Sequence, residues 1–199
     1  MSYLDFTLSQ LTKEFNLVLE EKPNLFVKIP GIELDEFFLK FLRRNIPIAE
    51  AINTEKAKSE MIIAPILLEL KTILLDQISL FSGVAFNVDS TRGLNCFCDF
   101  IISLSPQQFY IQSPIITVVE AKNDNIINGL SQCIAEMVAV QIFNEKEGNP
   151  ILTIYGVITN GSQWRFLSLQ QNLVTIDLTD YYIIQPEKIL GILVNIAQI

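Results

Sequence analysis

Apolar positions recur at helical spacing in the first third of the chain and at strand spacing in the middle. Leu4, Leu8, Leu11, Phe15 and Leu19 predict an amphipathic helix over residues 3–22, closed by Pro23 and Asn24. Residues 25–29 read as a short strand. Glu33, Asp35 and Glu36 then precede Phe37, Phe38, Phe41 and Leu42, with Arg43 and Arg44 behind. Acids at the start and bases at the end suit a helix dipole, so the two arginines read as helix-end charge in preference to phosphate contacts. Asn53 or Thr54 is the expected N-cap of a long helix to about Leu75. Pro65 should kink or divide it.

Strand-like runs follow at residues 83–88, 95–104, 115–121 and 151–159. Asp89–Gly93 is a turn, and residues 105–113 form a longer loop. Between the last two strands, Leu130, Ile134, Met137, Val138 and Ile142 give a helical core face over residues 126–146, ended by Gly148, Asn149 and Pro150. A strand–helix–strand order predicts a crossover between parallel strands. Asn160-Gly161 predicts a hairpin into residues 163–169, a further strand follows at 173–178, and residues 186–196 form a last helix. The expectation is one α/β domain over residues 1–199, with a mixed central sheet flanked by helices and an N-terminal helical extension.

Composition narrows the chemistry. Half of the 199 residues are hydrophobic, which excludes disorder. The 22 acids against 14 bases give a net charge of −8, which opposes a nucleic-acid coat protein but not a nucleic-acid enzyme with a carboxylate site. The absence of histidine removes Ser–His–Asp and Cys–His catalysis and histidine metal ligands. Cys96, Cys98 and Cys133 make neither a disulfide framework nor a four-thiol zinc site and read as reduced core thiols. The uncharged run 100–119 is as long as a membrane span but is broken by Pro106 and Pro114, so it reads as two strands and a loop. No membrane association is expected. An acid at Asp5 and the lack of a basic start give no signal-peptide pattern, so the expected location is the cytoplasm.

The residues that carry chemistry are charges inside apolar strands. Asp99 interrupts residues 95–104, and Glu120 and Lys122 interrupt residues 114–123. A buried charge must pair, bind a metal or line a cleft. Glu120 and Lys122 are two apart on a strand and project from one face. A carboxylate beside an ammonium suits phosphodiester hydrolysis: the carboxylate holds a hard cation such as Mg²⁺, and the lysine orients or helps deprotonate water or balances phosphate charge. Asp99 on a neighbouring strand supplies a second carboxylate. Trp164 and Arg165, after the hairpin, either grip a nucleic acid or pack on the domain, and packing is the expectation.

At Glu60, Asp99, Glu120-Ala121-Lys122 and Gln132 the chain resembles the PD-(D/E)xK nuclease superfamily, whose fold is the restriction-endonuclease-like core. The run GLNCFCDFIIS…VVEAKN…GLSQCIAEM is similar to small bacterial proteins placed in that superfamily. The resemblance spans about residues 54–169, leaving 1–53 as an extension and 170–199 as a C-terminal strand and helix. Cys98 stands where the family pattern has proline.

The resemblance implies that Asp99 and Glu120 are metal ligands, with the Ala121 carbonyl as a third and Glu60 reaching the metal directly or through water. Lys122 is implied as the catalytic lysine and Gln132 as the glutamine beside the site. Asn128 and Glu136 share its helix face. The implied activity is Mg²⁺-dependent hydrolysis by a metal-activated water, with Mn²⁺ as a substitute and DNA as substrate. High hydrophobicity suggests a homodimer, and the acidic charge suggests a further protein partner that supplies DNA contacts. Two other readings stand beside this one. The first is a catalytically silent, nuclease-like binding or regulatory module in a DNA-processing complex. The second is a structural dimer whose charges form buried ion pairs.

Overall fold

Glu120 and Lys122 sit at the end of the most deeply buried strand, and the fold follows from how that strand is enclosed. The computed structural model describes residues 2–75 and 77–198. Among them, eight strands build one mixed sheet in the order β1 (Val18–Lys22), β7 (Leu173–Asp177), β6 (Gln163–Gln170), β5 (Ile154–Thr159), β4 (Ile115–Ala121), β3 (Phe97–Ser103) and β2 (Ser79–Ala85), with β8 (Tyr181–Tyr182) paired to β6. Strand β4 (Ile115–Ala121) is buried at all seven positions. It runs antiparallel to β3 (Phe97–Ser103) and parallel to β5 (Ile154–Thr159). The link between the parallel strands is a 3₁₀ turn (Ile126–Gly129) and helix α5 (Leu130–Lys146), the expected crossover. Full burial of each Val or Ile contributes about 2 kcal/mol, which offsets the cost of carrying a carboxylate in the same strand.

The N-terminal segment departs from the expected single helix. A 3₁₀ turn (Tyr3–Asp5) precedes helix α1 (Leu8–Glu14), capped by a reciprocal Thr7–Gln10 box. Asn16 takes a left-handed conformation (φ 52°), which ends helical propagation. Strand β1 (Val18–Lys22) then adds parallel to β7 (Leu173–Asp177) at the sheet edge. Leu19 continues the helical period of Leu8, Leu11 and Phe15, but it lies in this strand, paired with Val174. Residues 25–29 are turns, not a strand. Lys188 donates to the carbonyls of Phe26 (2.7 Å), Val27 (3.1 Å) and Ile29, taking the place of a strand neighbour.

Helix α2 (Glu36–Ile52), capped by Asp35, continues past Arg43 and Arg44 to a left-handed Asn53 (φ 49°). The two arginines therefore lie mid-helix and are not helix-end charges. Thr54 caps α3 (Glu55–Lys58), which passes through a π-helical turn (Ser59–Ile63) into α4 (Ala64–Ile73). The backbone stays helical through the π turn, so Pro65 does not divide the long helix; the regular α pattern is interrupted in the turn just before it.

Strand β2 (Ser79–Ala85) begins four residues before the expected run at residue 83 and forms the other sheet edge, antiparallel to β3. From the β3–β4 loop, Gln108 accepts from the Leu80 amide (3.3 Å) and donates to its carbonyl (2.7 Å). The Asn160-Gly161 hairpin joins β5 to β6 (Gln163–Gln170); β8 (Tyr181–Tyr182) and helix α6 (Pro186–Ala197) complete the chain.

The sheet separates two apolar layers. One joins α2, the π turn, α4 and α6 to Phe100, Val119 and Trp164. The other joins α1 and α5 to Ile101, Val118 and Leu167. Ile126–Lys146 is long and apolar enough to cross a membrane by length and composition, and 67% of its most apolar window is buried inside the domain. The uncharged run 100–119 is β3, a loop and β4.

Candidate active site

The strand period puts Val118 and Glu120 toward α5, and Val119 and Ala121 toward the opposite layer. Glu120 is 1% exposed. One of its carboxylate oxygens accepts from the Lys122 ammonium, and the other accepts from Gln132 Nε2 at 2.8 Å. Lys122 Nζ also meets Gln132 Oε1 at 3.3 Å. Gln132, in the first turn of α5, thus closes the network over the end of the strand.

Burial pushes the Glu120 carboxyl up to about 8, helped by the charge of Asp99 and opposed by Lys122. Burial also works against the charged Lys122, but Glu120 outweighs it, with help from Asp99 and Glu55, and holds the ammonium's pKa above its ordinary value. The pair retains protons, and Lys122 is a cation at neutral pH.

Asp99 is half-buried on β3, one residue beyond the last Phe100–Val119 backbone pair. Its Oδ2 accepts from the Ala121 amide at 2.8 Å, replacing the bond that a continuing ladder would make. Neither Arg92 nor Lys122 is paired with Asp99 here: Arg92 meets Glu14 at 3.9 Å, and Lys122 bonds Glu120.

A cleft of about 260 Å³ opens here, lined by Asp99, Ala121, Gly83, Ser59, Glu55 and Glu60, among others. Gly83 has φ +61° and open space where a Cβ would stand, so β2 bends without filling the cleft. Glu60 lies in the π turn, exposed, with Lys56 at 3.1 Å.

The expected site residues therefore divide in two. Glu120, Lys122 and Gln132 form one hydrogen-bonded network. Asp99, Ala121 and Glu60 line the adjoining cleft. Among the described residues, no three acidic or thiol side chains converge as a ready ligand cluster. The donors present are hard oxygens, the type Mg²⁺ takes. Next to Lys122, the buried Asn123 Oδ1 has no hydrogen-bond partner.

Several contributors escaped the sequence reading. Glu55 lines the cleft and pushes Glu120 upward. Lys58 is nearly buried and donates to Asn53 Oδ1 (2.8 Å) and to the Asn123 carbonyl (2.7 Å), tying α3 to the chain beyond Lys122. A Cβ on Gly129 would stand 3.1 Å from Lys122 Cε and 3.2 Å from Glu120 Cγ. That glycine lets α5 approach the pair, and its position just before the helix was the only signal available. Glu136, already placed on the Gln132 face by the helical period, accepts from Gln132 Nε2 at 3.1 Å and is fully buried. Burial pushes its carboxyl well upward, with Glu120 adding to the effect.

Trp164 is buried and donates to the Gly161 carbonyl at 2.8 Å, and Arg165 pairs with Asp180 at 2.8 Å. Both pack on the domain. A larger cavity, about 440 Å³, lies elsewhere, between α2 and α4, with an apolar lining that includes Phe37, Phe41 and Leu68. In comparisons with known proteins, no family model, curated protein or solved structure matches this chain.

Proposed function

We propose that this protein is a metal-dependent nuclease of the PD-(D/E)xK type, hydrolysing phosphodiester bonds in DNA. The observation that carries the reading is the Glu120–Lys122 pair at the end of a central strand, beside a cleft lined by Asp99, Ala121 and Glu60. The order of elements over residues 54–159 also supports it: helix, three-stranded antiparallel meander, helix, parallel strand, as in a restriction-endonuclease-like core.

The oxygen donors fit a hard divalent cation, Mg²⁺ with Mn²⁺ as substitute. Asp99 and Glu120 would hold it, with the Ala121 carbonyl and Glu60. When bound, the cation supplies positive charge to the phosphate and acidity to the attacking water. Lys122 keeps a positive charge beside the phosphate and donates to it. Its raised proton affinity favours this role over that of a base. Gln132 holds Lys122 and Glu120 in register with each other.

Incubation of the purified protein with plasmid and linear DNA and Mg²⁺ or Mn²⁺ tests the reading. Cleavage is expected, and loss of cleavage in Lys122→Ala and in Asp99→Ala. Cleavage that survives either change refutes it. A second reading, a silent nuclease-like module, is favoured by the closure of Glu120, 1% exposed, and by the net charge of −8. Calorimetry separates the two: absence of Mn²⁺ binding heat at millimolar metal supports the silent module.

A further inference from the structure

We infer that Glu136 is a positioning residue for this site, fixing the side-chain amide of Gln132 with its carbonyl toward Lys122 and its NH₂ toward Glu120. The inference rests on the nuclease reading for its functional consequence, though not for its geometry. An ammonium only donates, so the amide oxygen of Gln132 belongs toward Lys122 and its NH₂ toward the two carboxyls. Its Nε2 lies 2.8 Å from Glu120 Oε2 and 3.1 Å from Glu136 Oε1, so both N–H bonds are used. Its Oε1 then lies 3.3 Å from Lys122 Nζ. Turned over, the amide would set its NH₂ against the ammonium, donor against donor. Glu120 alone anchors one N–H; Glu136 anchors the other.

A packing role does not account for a carboxyl at this point. Glu136 is 0% exposed, its neighbours include the buried thiols of Cys98 and Cys133, and its Oε2 has no hydrogen-bond partner. An apolar side chain of similar volume would fill the same space without a stranded oxygen. Such a side chain lacks the acceptor for Gln132 and the polar partner of the Cys98 thiol.

The test compares Glu136→Met, which removes the acceptor, with Glu136→Gln, which keeps an oxygen at the Oε1 position. Glu136→Met is expected to fold with an undiminished melting temperature and to lose about ten- to a hundredfold in Mg²⁺-dependent cleavage, the usual effect of removing a residue behind a metal ligand. Glu136→Gln is expected to restore most of it. Nuclear magnetic resonance supplies a readout independent of activity. In the wild type both Gln132 Nε2 protons should exchange slowly with solvent, and in Glu136→Met at least one should exchange fast. Wild-type cleavage in Glu136→Met overturns the inference, as does fast exchange of either Gln132 proton in the wild type. A wild type that cleaves nothing, yet shows the slow protons and their loss in Glu136→Met, refutes the nuclease reading and leaves the positioning intact.

Discussion

Replacing Glu120 with glutamine removes a charge that the fold does not welcome. The carboxyl is 1% exposed, and burial moves its pKa from an ordinary 4.5 to about 8. A carboxyl whose folded pKa is raised binds its proton more tightly in the folded state than in the unfolded one. Stability therefore falls as pH rises between the two values, and the penalty is complete above the folded value. At about 1.4 kcal/mol per pH unit, the loss from 4.5 to about 8 is about 5 kcal/mol. That is a ceiling, because Lys122 and Gln132 relax with the charge. It is still a large share of the roughly 5–15 kcal/mol that holds a domain together.

Lys122 does not confuse the measurement. Its raised pKa adds stability that is lost only above its ordinary value of 10.5. Glu136 is present in both proteins, and Glu120→Gln also relieves the push that Glu120 exerts on it, which acts in the same direction as the effect measured. Urea unfolding of the wild type and Glu120→Gln should give similar stabilities near pH 4.5 and a variant more stable by several kcal/mol at pH 8. Saturating Mg²⁺ should recover much of the difference at pH 8 in the wild type and none in Glu120→Gln, because the cation compensates the carboxylate. A stability difference that stays constant across this range would refute the argument that Glu120 is held above its ordinary value by burial.

Two further predictions concern the frame around the site. Asn144 is buried and binds both the amide and the carbonyl of Ile115, each at 2.8 Å, fastening α5 to the start of β4. Asn144→Ala should cost about 3 kcal/mol, two backbone groups being left unpaired, and a loss under about 1 kcal/mol in urea unfolding would contradict this. Cys98 and Cys133 are buried and burial raises both thiols, whereas Cys96 is partly exposed. Iodoacetamide should label Cys96 alone in the native protein and all three cysteines in denaturant, as read by mass spectrometry.

Much of the centre was legible because its signals are local. Residues 115–121 read as a strand because an apolar run of that length, bounded by Pro114 and Asn123, has few other uses. Glu120 and Lys122 shared a face by period alone, and Asn160-Gly161 announced its hairpin. The two ends of the chain were not legible. Whether Leu19 lies on a helix or a strand is decided by pairing with β7, more than 150 residues away, and by the backbone of Asn16. Residues 25–29 depend on Lys188 in the last helix. In the site, the strands carrying Asp99 and Glu120 could be read, but not the division that leaves Asp99 at the cleft and seals Glu120 beneath Gln132. That division depends on a Gly129 without a side chain and on a Lys58 whose partners are distant in sequence.

The Gln108 side chain on the β2 edge bears on how copies of this protein meet. By occupying both the amide and the carbonyl of Leu80, it gives the outer strand a false neighbour one residue long. Three residues on, Gly83 bends the same strand out of the extended conformation. An incoming strand would have to evict the glutamine and straighten the glycine before its own ladder began. The opposite edge, β1, presents Glu20, Glu21 and Lys22. Neither margin invites the sheet to grow from one molecule into the next, so self-association by sheet extension is disfavoured at both margins.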